Sequence, residues 1–239
     1  MREFDELADV ADPGLAGAAT GVRRGAVPVR VLPADADEGR RCLLQLQVTT
    51  RSVLGALTLH CGGLVLDDGW LRVYGAGRAA EGFEPRPGQR VSGEFDPHWH
   101  PAAGLVVGHD VLGGVFCLNG RDPAGSGRPG APGQLTYFAP DTLEWEALDM
   151  GHSAWVGWLL SGGTERFYAG LRRPDWRAEV AALDLSQGLS VFPFLWSEEA
   201  QRDLAATSRR AVPLREVVGL AADFARRLGP ADPGFLGEV

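Results

Sequence analysis

Apolar residues change their spacing twice along the chain. In the first third, Phe4, Leu7 and Ala8 fall on one face of a short helix. Cys42, Leu43 and Leu46, then Leu54, Ala56 and Leu57 beyond a Thr49-Thr50-Arg51-Ser52 break, predict two more helices. Ser52 is the expected N-cap of the second, and Gly62-Gly63 its stop. Residues 26–32 read as an extended edge segment, because Pro28 has no amide to give to a neighbouring strand.

From Leu64 the spacing is that of strands. Leu64-Val65-Leu66 and Trp70-Leu71-Arg72-Val73-Tyr74 flank Asp67-Asp68-Gly69, a hairpin turn sequence that accepts positive φ. Residues 104–110 and 112–119 are the expected central strands. Residues 121–133, rich in Gly and Pro with almost nothing apolar to bury, predict a flexible surface loop. Residues 134–138 and 143–148 alternate in period two about an Ala139-Pro140-Asp141-Thr142 turn.

Past Gly151 the helical period returns. Ser153 is the expected cap of a helix through Trp155, Val156, Trp158 and Leu159, and a second helix carries Phe167, Tyr168 and Leu171. Pro174 opens a third, through Trp176, Val180 and Leu183. Pro213 opens a last one with an apolar stripe over Leu214, Val217, Val218, Ala221, Phe224, Ala225 and Leu228. The segment 192–196, Phe-Pro-Phe-Leu-Trp, is read as packing over the sheet, with an exposed partner patch as the alternative. The pattern as a whole predicts one α+β domain over residues 1–239. Helices come first, a mainly antiparallel twisted sheet runs from about Leu64 to Leu148, and C-terminal helices cover one face.

With 239 residues, 45% of them hydrophobic and 23% charged, the chain has the composition of a globular protein rather than a disordered one. Acids among the first six residues argue against a signal peptide, and no apolar run reaches the roughly 20 residues of a membrane span. A cytoplasmic location is expected. The net charge of −8 argues against nucleic acid as a partner, although all 23 cations are arginine. Cys42, Cys61 and Cys117, odd in number and flanked by apolar residues, read as reduced buried thiols.

Candidate chemistry is sparse. Asp96, His98 and His100, with His109 and Asp110 nine and ten residues on, offer the imidazole and carboxylate ligands of a divalent metal, but at no recognised ligand spacing. No Gly-x-Ser-x-Gly elbow, dinucleotide-binding glycine pattern or lysine-bearing phosphate loop occurs. Glu144 and Glu146 share the strand face opposite Trp145 and, with Asp141 and Asp149, form an anionic strip suited to a basic protein partner. Trp99, set among prolines and histidines, is the tryptophan expected to be exposed and to join a partner surface.

Five segments, 49–56, 68–72, 110–116, 137–146 and 193–196, resemble an uncharacterised bacterial domain-of-unknown-function family, DUF2625, and the resemblance extends over most of the chain. It implies no activity. A second likeness, over about 105–160, rests on Gly108-His109-Asp110, the Gly113-Gly114 pair, an acidic turn and a Ser-headed helix ending Trp158-Leu159-Leu160. This stretch resembles the SUKH superfamily, which implies an α+β domain and a cytoplasmic immunity protein that binds a toxin instead of catalysing a reaction. The expected function is thus a non-catalytic protein-binding domain with no cofactor, whose acidic strip meets a basic toxin. The alternatives are a metal-dependent enzyme using His98, His100 and His109, and a structural homodimer.

Overall fold

The computed structural model describes residues 2–8, 27–76, 104–229 and 232–237. Helix α1 (Phe4–Ala8) is followed by strand β1 (Val29–Leu32) and two helices, α2 (Ala36–Leu46) and α3 (Val53–His60). Asp35 caps α2 through the amides of Asp37 and Glu38, and Ser52 caps α3 by accepting from Gly55 N at 3.0 Å. Removing that Ser52 hydroxyl leaves an amide of the first turn without its acceptor. Ser52→Ala is expected to lower stability by about 1 kcal/mol in urea unfolding, and an unchanged midpoint would count against the cap.

Seven strands follow one another in space as they do in sequence. They are β1, β2 (Gly63–Leu66), β3 (Leu71–Tyr74), β4 (Gly104–Asp110), β5 (Val115–Asn119), β6 (Leu135–Ala139) and β7 (Glu144–Ala147), with every neighbouring pair antiparallel. This confirms the α+β class and the sheet expected from the pattern. The Pro28 segment leads into one edge strand, 104–110 is the central strand, and β7 is the other edge. The β2–β3 connection is left-handed at Asp67 (φ 51°), Asp68 (φ 57°) and Gly69 (φ 114°), as its sequence implied.

Both faces of the sheet are covered, not one. Leu64, Leu66, Leu71, Val73, Phe116 and Tyr137 pack against α3 and α4 (His152–Leu160), together with Tyr168 and Trp176. The alternate residues Val65, Tyr74, Val106, Cys117 and Phe138 pack instead against α8 (Leu214–Leu228) and Leu236. Double coverage explains why the inner strands are apolar at nearly every position, whereas β7 shows the alternation of a strand with one wet face.

Several boundaries differ from the sequence reading. Helix α4 begins at His152 with Gly151 as N-cap and no side-chain cap, so Ser153 lies inside the first turn. The next helices, α5 (Gly163–Phe167) and α6 (Trp176–Ala181), are short. Pro174 precedes the Asp175 cap of α6 instead of opening the helix. Residues 187–192 and 208–213 form an unanticipated antiparallel ribbon, β8–β9, with helix α7 (Glu198–Arg202) between its strands. Segment 121–133 is stitched down: Asp122 accepts from Gly125 N, and Arg128, only 4% exposed, donates to Cys117 Sγ and Phe235 O at 3.0 Å each.

Candidate functional site: an acidic sheet edge above a buried polar core

The edge strand β7 is four residues long and pairs through Ala139↔Glu144, Phe138↔Trp145, Tyr137↔Glu146 and Thr136↔Ala147. The turn before it closes by a Leu143 N–H donating to Ala139 O at 2.9 Å, with Leu143 left-handed and its side chain buried. Trp145 points inward: its ring lies 5.5 Å edge-on from Phe138, the Arg128 guanidinium sits 4.5 Å from its centroid, and its Nε1–H donates to Pro233 O. Because side chains alternate along a strand, Glu144 and Glu146 are held on the opposite face and both are exposed. Asp149, left-handed at φ 51°, is exposed just beyond, and Asp141 is half-buried in the turn.

The strip expected from the sequence is therefore assembled on one open edge. None of its four carboxylates makes an ion pair with a described residue. Partial burial raises the pKa of Asp141, and partial burial with repulsion from Asp141 and Glu144 raises that of Glu146. Only the Glu146 shift includes repulsion from neighbouring carboxylates, and that part is what an incoming cation relieves.

The metal candidates fare differently. Asp96, His98, His100 and Trp99 lie outside the described residues. His109 and Asp110 are consecutive on β4 and turn to opposite faces of the sheet, each engaged by protein groups. His109 Nε2 lies 2.8 Å from Leu236 O, and its Nδ1 meets the Tyr74 hydroxyl. A carbonyl only accepts, so Nε2 carries the proton and Nδ1 accepts from the tyrosine. Burial pulls the His109 pKa down to about 4, which keeps the ring neutral. Among the described residues no group of three or more His, Cys, Asp or Glu is arranged to hold a metal.

On the other face, Asp110 Oδ1 accepts from Leu112 N at 2.8 Å and Gly114 N at 3.0 Å. Its Oδ2 accepts from Tyr137 Oη at 2.7 Å and Tyr168 Oη at 3.1 Å. Burial raises the carboxyl pKa while the four donors pull it back, and both phenols are pushed well above their usual range. This network gathers residues from β4, β6 and the end of α5. The two tyrosines carry no local motif; the legible trace is an aspartate placed before a Gly113-Gly114 turn, a common site for side-chain capping of tight turns.

A third buried polar group closes the β2–β3 turn: Asp67 pairs with Arg172 at 2.5 Å, and the guanidinium is surrounded by Trp70, Tyr168 and Trp176 at 4.7, 5.0 and 3.9 Å from their centroids. The thiols are inert by placement. Burial raises Cys61, and raises Cys117 to about 11 despite Arg128 beside it. These interior groups are consumed in holding turns and helices to the sheet, while the strip on β7 faces outward.

Comparison with known proteins adds relatives but no chemistry. The chain is 36% identical over 220 residues to the uncharacterized protein YbfG of Escherichia coli (strain K12), covering 91% of this chain and 94% of that one. It is 29% identical over 200 residues to an uncharacterized protein of Haemophilus influenzae, covering 82% of each. No solved structure matches. A family model matches residues 4–217, and the chain accordingly belongs to the family described as protein of unknown function DUF2625.

Proposed function

We propose that the protein is a non-catalytic binding module that captures a basic protein partner along the β7 edge. The observation that carries this reading is an exposed terminal strand whose carboxylates, Glu144 and Glu146, with the flanking Asp141 and Asp149, have no cation paired with them among the described residues. An edge strand also offers unpaired main-chain groups, so a partner can combine strand pairing with charge complementarity. The sharper assignment, a cytoplasmic immunity protein masking a basic toxin, draws support from the SUKH-like stretch and from three buried cysteines that form no disulfide. No helix among the described residues is long and apolar enough to cross a membrane, which accords with that setting.

The test uses wild type and the double variant Glu144→Arg, Glu146→Arg as baits in the native host at low and high salt, followed by affinity measurement with the purified captured protein. The expected partner is basic, is lost at high salt and binds the double variant at least about tenfold more weakly, while circular dichroism shows the fold intact. A partner that is acidic, or that binds the reversed strip equally well, overturns the reading.

A further inference from the structure

A second surface, distinct from the acidic strip in chemistry, lies where the β8–β9 ribbon meets α8. Helix α8 buries one stripe, Leu214, Val218, Ala221 and Ala225, against the sheet. Beside it runs a second apolar flank, Val217, Leu220, Phe224 and Leu228, at spacings of three, four and four, half-buried at its first three positions and exposed at the last. Val217 and Leu220 of this flank form one wall of a groove of about 230 Å³, with Val191, Val212, Phe194 and Trp196 on the others. Phe194 and Trp196 stack at 4.7 Å and both rest on Phe224, at 5.1 and 5.0 Å, so the groove is backed by a rigid aromatic cluster.

Phe192 and Leu228 are each 65% exposed, next to the aromatic cluster and outside the groove lining itself. Phe192 stands edge-on to Phe194 at 5.9 Å, and Leu228 follows Phe224 by about one turn of α8. The patch thus carries protruding apolar side chains and an apolar recess side by side. Two charges line the same groove, Arg210 from β9 and Glu216 from α8, and neither forms an ion pair with a described residue. A surface bearing both a knob and a hole, and both signs of charge, has the property that a two-fold interface requires: it complements itself. A basic partner of the kind drawn to β7 has no use for Arg210.

We infer that this groove is the interface of a symmetric homodimer, in which Phe192 of each copy enters the groove of the other and Arg210 of one pairs with Glu216 of its mate. The seam along α8, ending at Leu228, extends the apolar contact on either side of the two-fold axis. Burying the exposed phenylalanine, leucine and aromatic cluster together supplies the central apolar anchor that stable interfaces share, with the ion pairs fixing orientation at the rim.

Sedimentation velocity over a concentration series tests the proposal on the full chain. Wild type is expected to dimerise reversibly. Phe192→Ser and Leu228→Glu each change an exposed side chain, and each is expected to raise the dimer dissociation constant at least about tenfold with an unchanged circular dichroism spectrum. Arg210→Glu and Glu216→Arg are expected to weaken association singly, and the double swap to restore it, because the pair is re-formed with its signs exchanged. A monomer at every concentration overturns the proposal, and so does a dimer indifferent to Phe192→Ser and Leu228→Glu. A double swap no better than either single swap overturns the assigned pairing.

Discussion

Replacing Asp110 by alanine is expected to remove about 5 kcal/mol of stability, enough to unfold many domains of this size, because four buried donors lose one shared acceptor. The two amides belong to the β4–β5 turn and the two hydroxyls to β6 and the segment after α5, so the loss is spread over the junction of the sheet with its helical cover. The space around the carboxylate is fully used: a Cβ built at Gly114 would lie 2.2 Å from Asp110 Oδ2 and 2.3 Å from Tyr137 Oη. Tyr137→Phe and Tyr168→Phe each delete one donor and leave the carboxylate three, so each is expected to lower stability by only about 1–2 kcal/mol. Urea unfolding of the three single variants, with a Tyr137→Phe, Tyr168→Phe double, separates these cases. Asp110→Ala behaving like either tyrosine variant would mean that the carboxylate is not the hub.

That hub was hidden from the sequence for a physical reason. Asp110 meets Tyr137 and Tyr168 across separations of 27 and 58 residues, and no local period announces such a meeting. What was legible is what depends on neighbours in the chain. The left-handed Asp67-Asp68-Gly69 turn, the Ser52 cap, the α8 stripe and the central placement of 104–110 follow from local sterics and spacing. The β8–β9 ribbon was not legible because β9 is mostly exposed and polar: Ser208, Arg210 and Ala211 look outward, and Arg209 is turned to Glu179 at 3.3 Å, so the buried Leu189 and Val191 of β8 have no patterned partner in the sequence. Arg128 was missed for the opposite reason. A lone arginine among glycines and prolines reads as solvated, yet Trp145 and Cys117 give its guanidinium an interior place.

The outward placement of Glu144 and Glu146 was legible because it needs only period-two alternation and an edge. Glu144 and Glu146 flank a tryptophan that has to be inside, and the alternation then places both carboxylates outside whatever the rest of the fold does. For His109 the strand's place in the sheet matters more than alternation. His109 sits on a strand whose neighbours are apolar on both sides, the signature of a central strand with both faces covered, and a histidine there is more readily satisfied by its own chain than by an ion.

Those buried histidines make the fold sensitive to mild acid. His109 and His152 are both neutral in the folded state, with burial as the leading cause of a pKa pulled down to about 4 in each. An unfolded histidine titrates near 6.5, so the unfolded chain binds protons that the folded chain refuses. The stability contributed by each group is complete above the unfolded value and is lost as pH falls from about 6.5 toward 4. By linkage each group withdraws about 2 kcal/mol by pH 5, on the order of 4 kcal/mol for the pair. Carboxyls with raised values, Asp110, Asp141 and Glu146, act in the opposite sense, since the folded chain takes up their protons first and gains as pH drops. A difference measurement isolates the histidine. His152 packs on Trp155 at 5.6 Å, and neither of its ring nitrogens has a hydrogen-bond partner, so His152→Leu removes a buried imidazole without orphaning another group. The variant is expected to be as stable as wild type or about 1 kcal/mol more stable at pH 7, and to lose about 2 kcal/mol less than wild type between pH 7 and pH 5. Urea unfolding at the two pH values decides it: parallel losses in wild type and His152→Leu would show that His152 titrates normally in the folded protein and has no part in its acid sensitivity.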